Sequence, residues 1–237
     1  MKKFESKKRY VVPGDVITTS PLRLKENVIL DGKRIMATCT GLSDIFGDSV
    51  RVIPLTGIYL PKIDDLVIGK IISVSNSAWF ADINSCYEGM LFGQEVFGRA
   101  SYPTLDDMRS RLDKGDLIAA RIANFDRTRE PLITISGQDL GKIDSGELVK
   151  ISPSKVPRLI GKQGSMIQAI EGATNSSITI GQNGLIILNN DNNSRLERAT
   201  RAIQMIEINM YESNLEEKIQ NLLDDKNWKN LNQKNDM

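Results

Sequence analysis

The stretch VPRLIGKQGSMIQAIEG, residues 156–172, carries the reading of the fold. Two glycines three apart stand between two apolar segments, with a lysine and a glutamine between them. As a string this says little. With 18 glycines among 237 residues, about one Gly-x-x-Gly is expected by chance, and a second match, GQNG, stands at 181–184. Context separates the two. Outward from the first match, ELVKI (147–151) reads as a strand, SKVPRLI (154–160) as a short helix and SMIQAIEGA (165–173) as a second helix. SSITI and LIIL then read as strands, and a long helix follows from Ser194. Ser154 is expected to cap the first helix, and Pro157 falls in its first turn, where no N–H is needed. Ser194-x-x-Glu197 has the form of a capping box, and Leu196, Ala199, Ile203, Ile206 and Met210 form one apolar stripe that reads as core. The second match lies between two strand runs and contains Asn-Gly. It reads as a hairpin turn whose glycine supplies positive φ, with no part in binding.

The first match joins two helices, and that placement has a use. Glycines let a nucleic-acid backbone approach the main chain, and the helix starting at Ser165 offers N–H groups and its positive dipole end to phosphate. Lys155, Arg158 and Lys162 are spaced to line one side of the helix and loop. Residues 148–170 hold Lys150, Lys155, Arg158 and Lys162 and no acid. The order and the loop are those of a KH domain, which clamps about four nucleotides of single-stranded RNA or DNA. The candidate contacts are Gly161, Lys162, Gln163, Gly164 and Ser165, with Lys155 and Arg158.

Composition narrows the function classes. A chain with 40% hydrophobic and 26% charged residues is globular and long enough for two or three small domains. No apolar run approaches the roughly 18 residues of a membrane span, and the basic start MKKFESKKRY has no apolar stretch after it. These features read as an intracellular, cytoplasmic protein. There is no histidine, which removes the commonest general base and metal ligand. Cys39 and Cys86 lack zinc-site spacing and read as ordinary thiols. Neither a metal nor a cofactor is expected. The pairs Asp64-Asp65 and Asp106-Asp107 would be the carboxylates of a metal-dependent nuclease, but adjacent acids on turns and helix starts usually serve as solvated charge. Net charge is +1, so any nucleic-acid site must be local.

The rest of the chain reads as β structure. Residues 1–60 hold short strands around a Val12-Pro13-Gly14-Asp15 type II turn, behind a basic arm. They form a small N-terminal β domain with ten basic against six acidic residues, net +4. Residues 61–140 follow the order strand, strand, strand, short helix, strand, strand, with Thr104-x-x-Asp107 at the helix start. That order belongs to a five-stranded OB barrel, a fold that binds single-stranded oligonucleotides. In WFADIN, Trp79, Ala81 and Ile83 share the core face, leaving Phe80 with Asp82 and Asn84 on the other. Phe80 is then a stacking platform, with Phe92, Arg121, Arg127 and Arg129 completing the surface. Nine basic against twelve acidic residues, net −3, leave this barrel to stacking and local arginines. The KH domain spans 141–212, and 213–237 reads as a polar tail with at most a frayed helix before disorder. The fold class is mainly β plus α+β.

A β domain, an OB barrel and a single KH domain carrying IGKQGSMI resemble the RNA-binding cap subunit of the archaeal exosome. The resemblance covers residues 9–211 and is most specific at GKQGSM, 161–166. It implies a non-catalytic subunit, three copies of which sit on a hexameric ring of RNase PH-like subunits and feed RNA 3′ ends to phosphate-dependent exonuclease sites inside. The N-terminal domain would dock on the ring, with the OB and KH surfaces around the entrance. A bacterial-type transcription elongation factor also places OB before KH but carries a second KH domain, for which too few residues follow.

Overall fold

The computed structural model describes residues 8–98 and 103–208, with Lys218, Ile219 and Leu223 beyond them. Residues 1–7, Met210 and most of the stretch 213–237 lie outside the described residues. So do most of the basic arm, the end of the apolar stripe and most of the expected tail. The chain divides into two compact units at Gly57/Ile58.

The first unit consists of two small sheets. Strands β1 (Arg9–Val11), β6 (Gly41–Phe46), β7 (Ser49–Pro54) and β3 (Arg23–Leu24) form one in the order β1-β6-β7-β3. Strands β2 (Val16–Thr18), β5 (Arg34–Ala37) and β4 (Val28–Asp31) form the other. The Pro13-Gly14 turn forms as its residues require: Gly14 has φ 91° and the Asp15 N–H donates to the Val12 carbonyl at 3.0 Å. Val11, Ala37 and Val52 form the small core.

The second unit opens with the barrel. Strands β8 (Leu66–Val74), β9 (Ala78–Asp82) and β10 (Glu88–Phe92) form a meander. After it come α1 (Gly93–Phe97), α2 (Leu105–Arg111), β11 (Leu117–Asn124), β12 (Leu132–Thr134) and β13 (Gly141–Ile143). The sheet order β12-β10-β9-β8-β11-β13 closes on itself because β12 also pairs with β11. Five strands thus make the barrel, and β13 is added at the flank of β11. Alternation decides which side chains fill it. Trp79, Ala81 and Ile83 are fully buried, and the Trp79 indole N–H donates to the Leu112 carbonyl at 2.8 Å, which satisfies its one polar atom inside the core. Thr104 and Asp107 close a reciprocal capping box at the start of α2.

The KH half follows: β14 (Glu147–Lys150), α3 (Val156–Ile160), α4 (Ser165–Thr174), β15 (Ser177–Ile180), β16 (Leu185–Asn189) and α5 (Asn193–Ile208). Its antiparallel sheet has the order β14-β16-β15. Strand β16 is buried at four successive positions because both its faces are covered. Ile186 and Leu188 join the core under the helices, whereas Leu185 and Ile187 pack with Ile68 of β8 on the barrel. The barrel and the KH sheet therefore share a core.

Three local expectations are corrected. Ser154 lies within a 3-10 turn, Pro153–Lys155, and α3 has no side-chain cap. The cap of α5 is Asn192, whose Oδ1 accepts from the Ser194 N–H at 3.0 Å, two residues before the expected start. The tail is not merely polar and frayed: Ile219 and Leu223, four apart and helical, are buried in the KH core beside Ile203 and Ile206.

Candidate nucleic-acid interface

The loop between α3 and α4 is built from three residues with positive φ. Gly161 has φ 75°, Gln163 53° and Gly164 82°. The two glycines do different things. A Cβ on Gly161 would lie 2.8 Å from the Met166 backbone nitrogen, so that glycine lets the loop fold against its own helix. A Cβ on Gly164 would meet nothing nearer than the Gln168 amide at 3.5 Å, so the open side of the loop, where a ligand backbone can come close, is at Gly164. Lys162, Gln163 and Ser165 are exposed. Gly164 is the N-cap of the ten-residue α4 and no side chain caps it, leaving the positive end of the helix facing the loop's open side.

The basic residues do not all converge on the loop. Lys162 lies within it. Arg158 is half-buried on α3. Lys155 turns the other way: its Nζ donates to the Glu207 carbonyl at 2.5 Å and lies 3.7 Å from Glu207 Oε1, which also accepts from the Ser152 hydroxyl at 2.7 Å. Lys155 thus ties the start of α3 to the end of α5. The 3-10 turn before α3 breaks the helical spacing that would have aligned it with Arg158 and Lys162.

On the barrel, the register pairs Phe80 with Met90 and Ala78 with Phe92. Phe80 and Phe92 are therefore diagonal neighbours on the outer face, within reach of one another's rings. Phe92 is 40% exposed and Phe80 half-buried. The arginines stand elsewhere. Arg127 and Arg129 are exposed in the β11–β12 loop, which is tied to the first residue of β10 by a 2.6 Å bond from the Glu88 N–H to Glu130 Oε2. Phe92 is the last residue of β10, four positions on, or roughly 14 Å along the strand. Arg121 lies on the outer face of β11, paired with Leu66, and donates to the Asp64 carbonyl at 2.7 Å. Phe80 and Phe92 are brought together; Arg121, Arg127 and Arg129 are not joined to them.

The carboxylate pairs have other tasks. Asp65 accepts the Tyr59 hydroxyl at 2.8 Å; burial and that bond push the phenol far above its ordinary value. Asp107 completes the capping box of α2 from its third position, and hydrogen bonds from Thr104 hold its carboxyl below the usual range. Among the described residues, no group of three or more His, Cys, Asp or Glu could hold a metal ion. No described helix is long and apolar enough to cross a membrane.

The second Gly-x-x-Gly forms the expected hairpin, with Gly184 at φ 79°. It does not face solvent. Asn183 is fully buried, its Oδ1 accepting from the Ile68 N–H at 3.3 Å and its Nδ2 donating to the Ile68 and Ile83 carbonyls at 2.7 and 2.8 Å. In return Asn84 Nδ2 donates to the Asn183 carbonyl at 2.7 Å, and the Gln182 N–H to the Leu66 carbonyl at 2.7 Å. Strand β9 ends at Asp82, and the Asn183 carboxamide continues the ladder on that side of β8. Gly181 is needed for this approach, since its Cβ would lie 2.9 Å from the Ile68 nitrogen. The turn locks the KH half to the barrel, a role that nothing in the local sequence signals.

Residues 146–206 match the KH domain family. The chain is 55% identical over 220 residues to exosome complex component Rrp4 of Nitrosopumilus maritimus, covering 93% of this chain and 97% of that protein. To exosome complex component Rrp4 of Thermosphaera aggregans it is 40% identical over 213 residues, covering 90% and 85%. A crystal structure named as an exosome complex RNA-binding protein is 42% identical, with a TM-score of 0.67 over 70% of this chain and 95% of that one.

Proposed function

Because the chain belongs to the Rrp4 family of exosome components, we propose that it is the non-catalytic RNA-binding cap of a cytoplasmic archaeal exosome. It captures RNA 3′ ends and hands them to a hexameric ring of RNase PH-like subunits for phosphorolytic 3′-to-5′ degradation. Three copies crown the ring, each docked through its N-terminal β domain. The observation that carries this reading is the Gly161–Gly164 loop, with its open side at Gly164, Lys162 beside it and an uncapped helix start behind. Phosphates of a single strand lie against the loop and the start of α4, while Phe80 and Phe92 offer a stacking platform for bases further along. The near-neutral chain has little nonspecific affinity, so capture depends on several copies acting together at high effective concentration.

The test is a fluorescence-anisotropy titration of labelled single-stranded RNA against the chain alone and against the chain assembled on the ring. Binding is expected to be weak alone and tighter on the ring, and the pure chain is expected to leave the RNA uncut with phosphate or magnesium present. Equal affinity in both states, or phosphate-dependent shortening by the pure chain, overturns the reading.

A further inference from the structure

The glycine loop stands on two unequal legs. Helix α4 buries Met166, Ile170 and Thr174 over ten residues, whereas α3 has five residues, buries Val156 and Leu159 and has no side-chain cap. What fixes the entry to α3 comes from the last helix. Glu207 stands in the final turn of α5, which is seated in the core by Ala199, Ala202, Ile203 and Ile206. Its Oε1 accepts the Ser152 N–H at 3.1 Å and the Ser152 hydroxyl at 2.7 Å. Lys155, whose side chain is 16% exposed, sends its Nζ back to the Glu207 carbonyl at 2.5 Å. The exchange is reciprocal. A carboxylate of α5 receives the chain that enters α3, and an ammonium from that chain reaches a carbonyl at the negative end of α5.

We propose that Glu207 is a positioning residue for RNA capture: by holding Ser152 and Lys155 it sets the direction of α3 and so places Lys162 against the phosphates of a bound strand. The proposal rests on the reading of the loop as an RNA clamp. Its effect has the opposite sign to simple electrostatics. Removing an acid from a chain of net charge +1 favours a polyanion, whereas loss of the anchor lets α3 swing and takes Lys162 away from the strand, so binding weakens. The contact also differs from an ordinary ion pair, which tolerates exchange of its two charges. Here Glu207→Lys would set an ammonium against the Ser152 N–H, and Lys155→Glu a carboxylate against the α5 carbonyl.

The test is a set of anisotropy titrations of labelled single-stranded RNA against the full-length chain assembled on the ring, at several salt concentrations, with thermal melts alongside. Lys162→Ala is expected to weaken binding and to reduce the slope of log K against log[salt] by about 0.7, the share of one phosphate contact on a single strand. Glu207→Ala is expected to weaken binding about fivefold, with the same fall in slope, and to have no further effect once Lys162→Ala is present, since residues that act through one another are not additive. Glu207→Gln, whose amide oxygen still accepts from Ser152, is expected to restore most of the loss. Ser152→Ala changes no charge and keeps the N–H bond; a smaller loss of the same kind is expected, and it carries the test where Glu207→Ala disturbs the melt. The exchanged pair, Lys155→Glu with Glu207→Lys, is expected to bind no better than Glu207→Ala. If Glu207→Ala and Ser152→Ala bind as wild type does, if they lose as much with Lys162→Ala as without it, or if the exchanged pair restores binding, the positioning role alone is overturned. If Lys162→Ala neither weakens binding nor moves the slope, the clamp reading falls, and the positioning role with it.

Discussion

Replacing Asn183 with alanine removes a side chain that bonds three barrel backbone groups, at Ile68 and Ile83. The three neutral hydrogen bonds contribute about 1 kcal/mol each, so the loss is about 2–4 kcal/mol, with the buried Ile68 and Ile83 carbonyls left without that donor. For a unit running from Ile58 to Met237, each kcal/mol moves the midpoint by about 2–4 °C, and the central estimate corresponds to a fall of roughly 6–12 °C. Asn183→Asp is expected to be worse than alanine, because a carboxylate would face two carbonyls in a buried site. Gln182→Ala is the control: Gln182 touches the barrel through its backbone N–H, which survives the change, and a shift under about 0.5 kcal/mol is expected. Thermal melts followed by circular dichroism measure all three. An Asn183→Ala midpoint within about 2 °C of wild type, or a Gln182→Ala shift of equal size, would refute the lock.

Lys162→Asp with Gln163→Asp should weaken RNA binding by about 1–3 kcal/mol in the anisotropy assay while leaving the melt unchanged, since both side chains are exposed. Phe80→Ala with Phe92→Ala should cost about 1–3 kcal/mol per base unstacked, read in the same titration. Ile219→Ala should destabilise the KH half by about 2–4 kcal/mol in urea unfolding, because the residue is fully buried in that core. Asp107, Asp116 and Asp126 are held below their ordinary pKa, first by hydrogen bonds from Thr104, Lys142 and Thr128 respectively. A depressed folded pKa contributes stability that is present above the unfolded value of about 4 and is lost as pH falls through the folded value. The stability gap between wild type and Thr104→Ala should therefore narrow below about pH 4 in acid unfolding.

Where a pattern is local, the sequence shows it. The Trp79-Ala81-Ile83 alternation, the Pro13-Gly14 turn and the Thr104 capping box each depend on neighbours within a few residues, and each forms as read. Where a residue's task lies across the chain, no such signal exists. LIIL at 185–188 reads as a strand, but a period of two cannot tell that both faces are covered, one of them by Ile68 more than a hundred residues away. Lys155 has the right charge at the right spacing, and only the 3-10 turn and Glu207 turn it from the loop. Phe80 and Phe92 could be paired from strand order, whereas the arginines of the β11–β12 loop could not be placed without the Glu88–Glu130 bond. Ile219 and Leu223 carried a helical spacing of four, which the surrounding asparagines and charges obscured.

The two Gly-x-x-Gly segments show how one string takes two tasks in one molecule. At 161–164 the inner pair is exposed, and the backbone takes positive φ at Gly161, Gln163 and Gly164 before α4 begins. At 181–184 only Gly184 takes positive φ, the inner Asn183 is buried, and the glycine at 181 is needed because another strand's backbone nitrogen lies where its Cβ would be. Both loops thus use glycine for close approach of a backbone. In the hairpin that backbone is the protein's own β8. In the helical loop Gly161 admits the protein's own α4 in the same way, so only Gly164 remains for a foreign one. On the proposed reading the RNA-contacting part of the first motif is therefore its second half, and the charge that accompanies it, Lys162, is exposed within the loop.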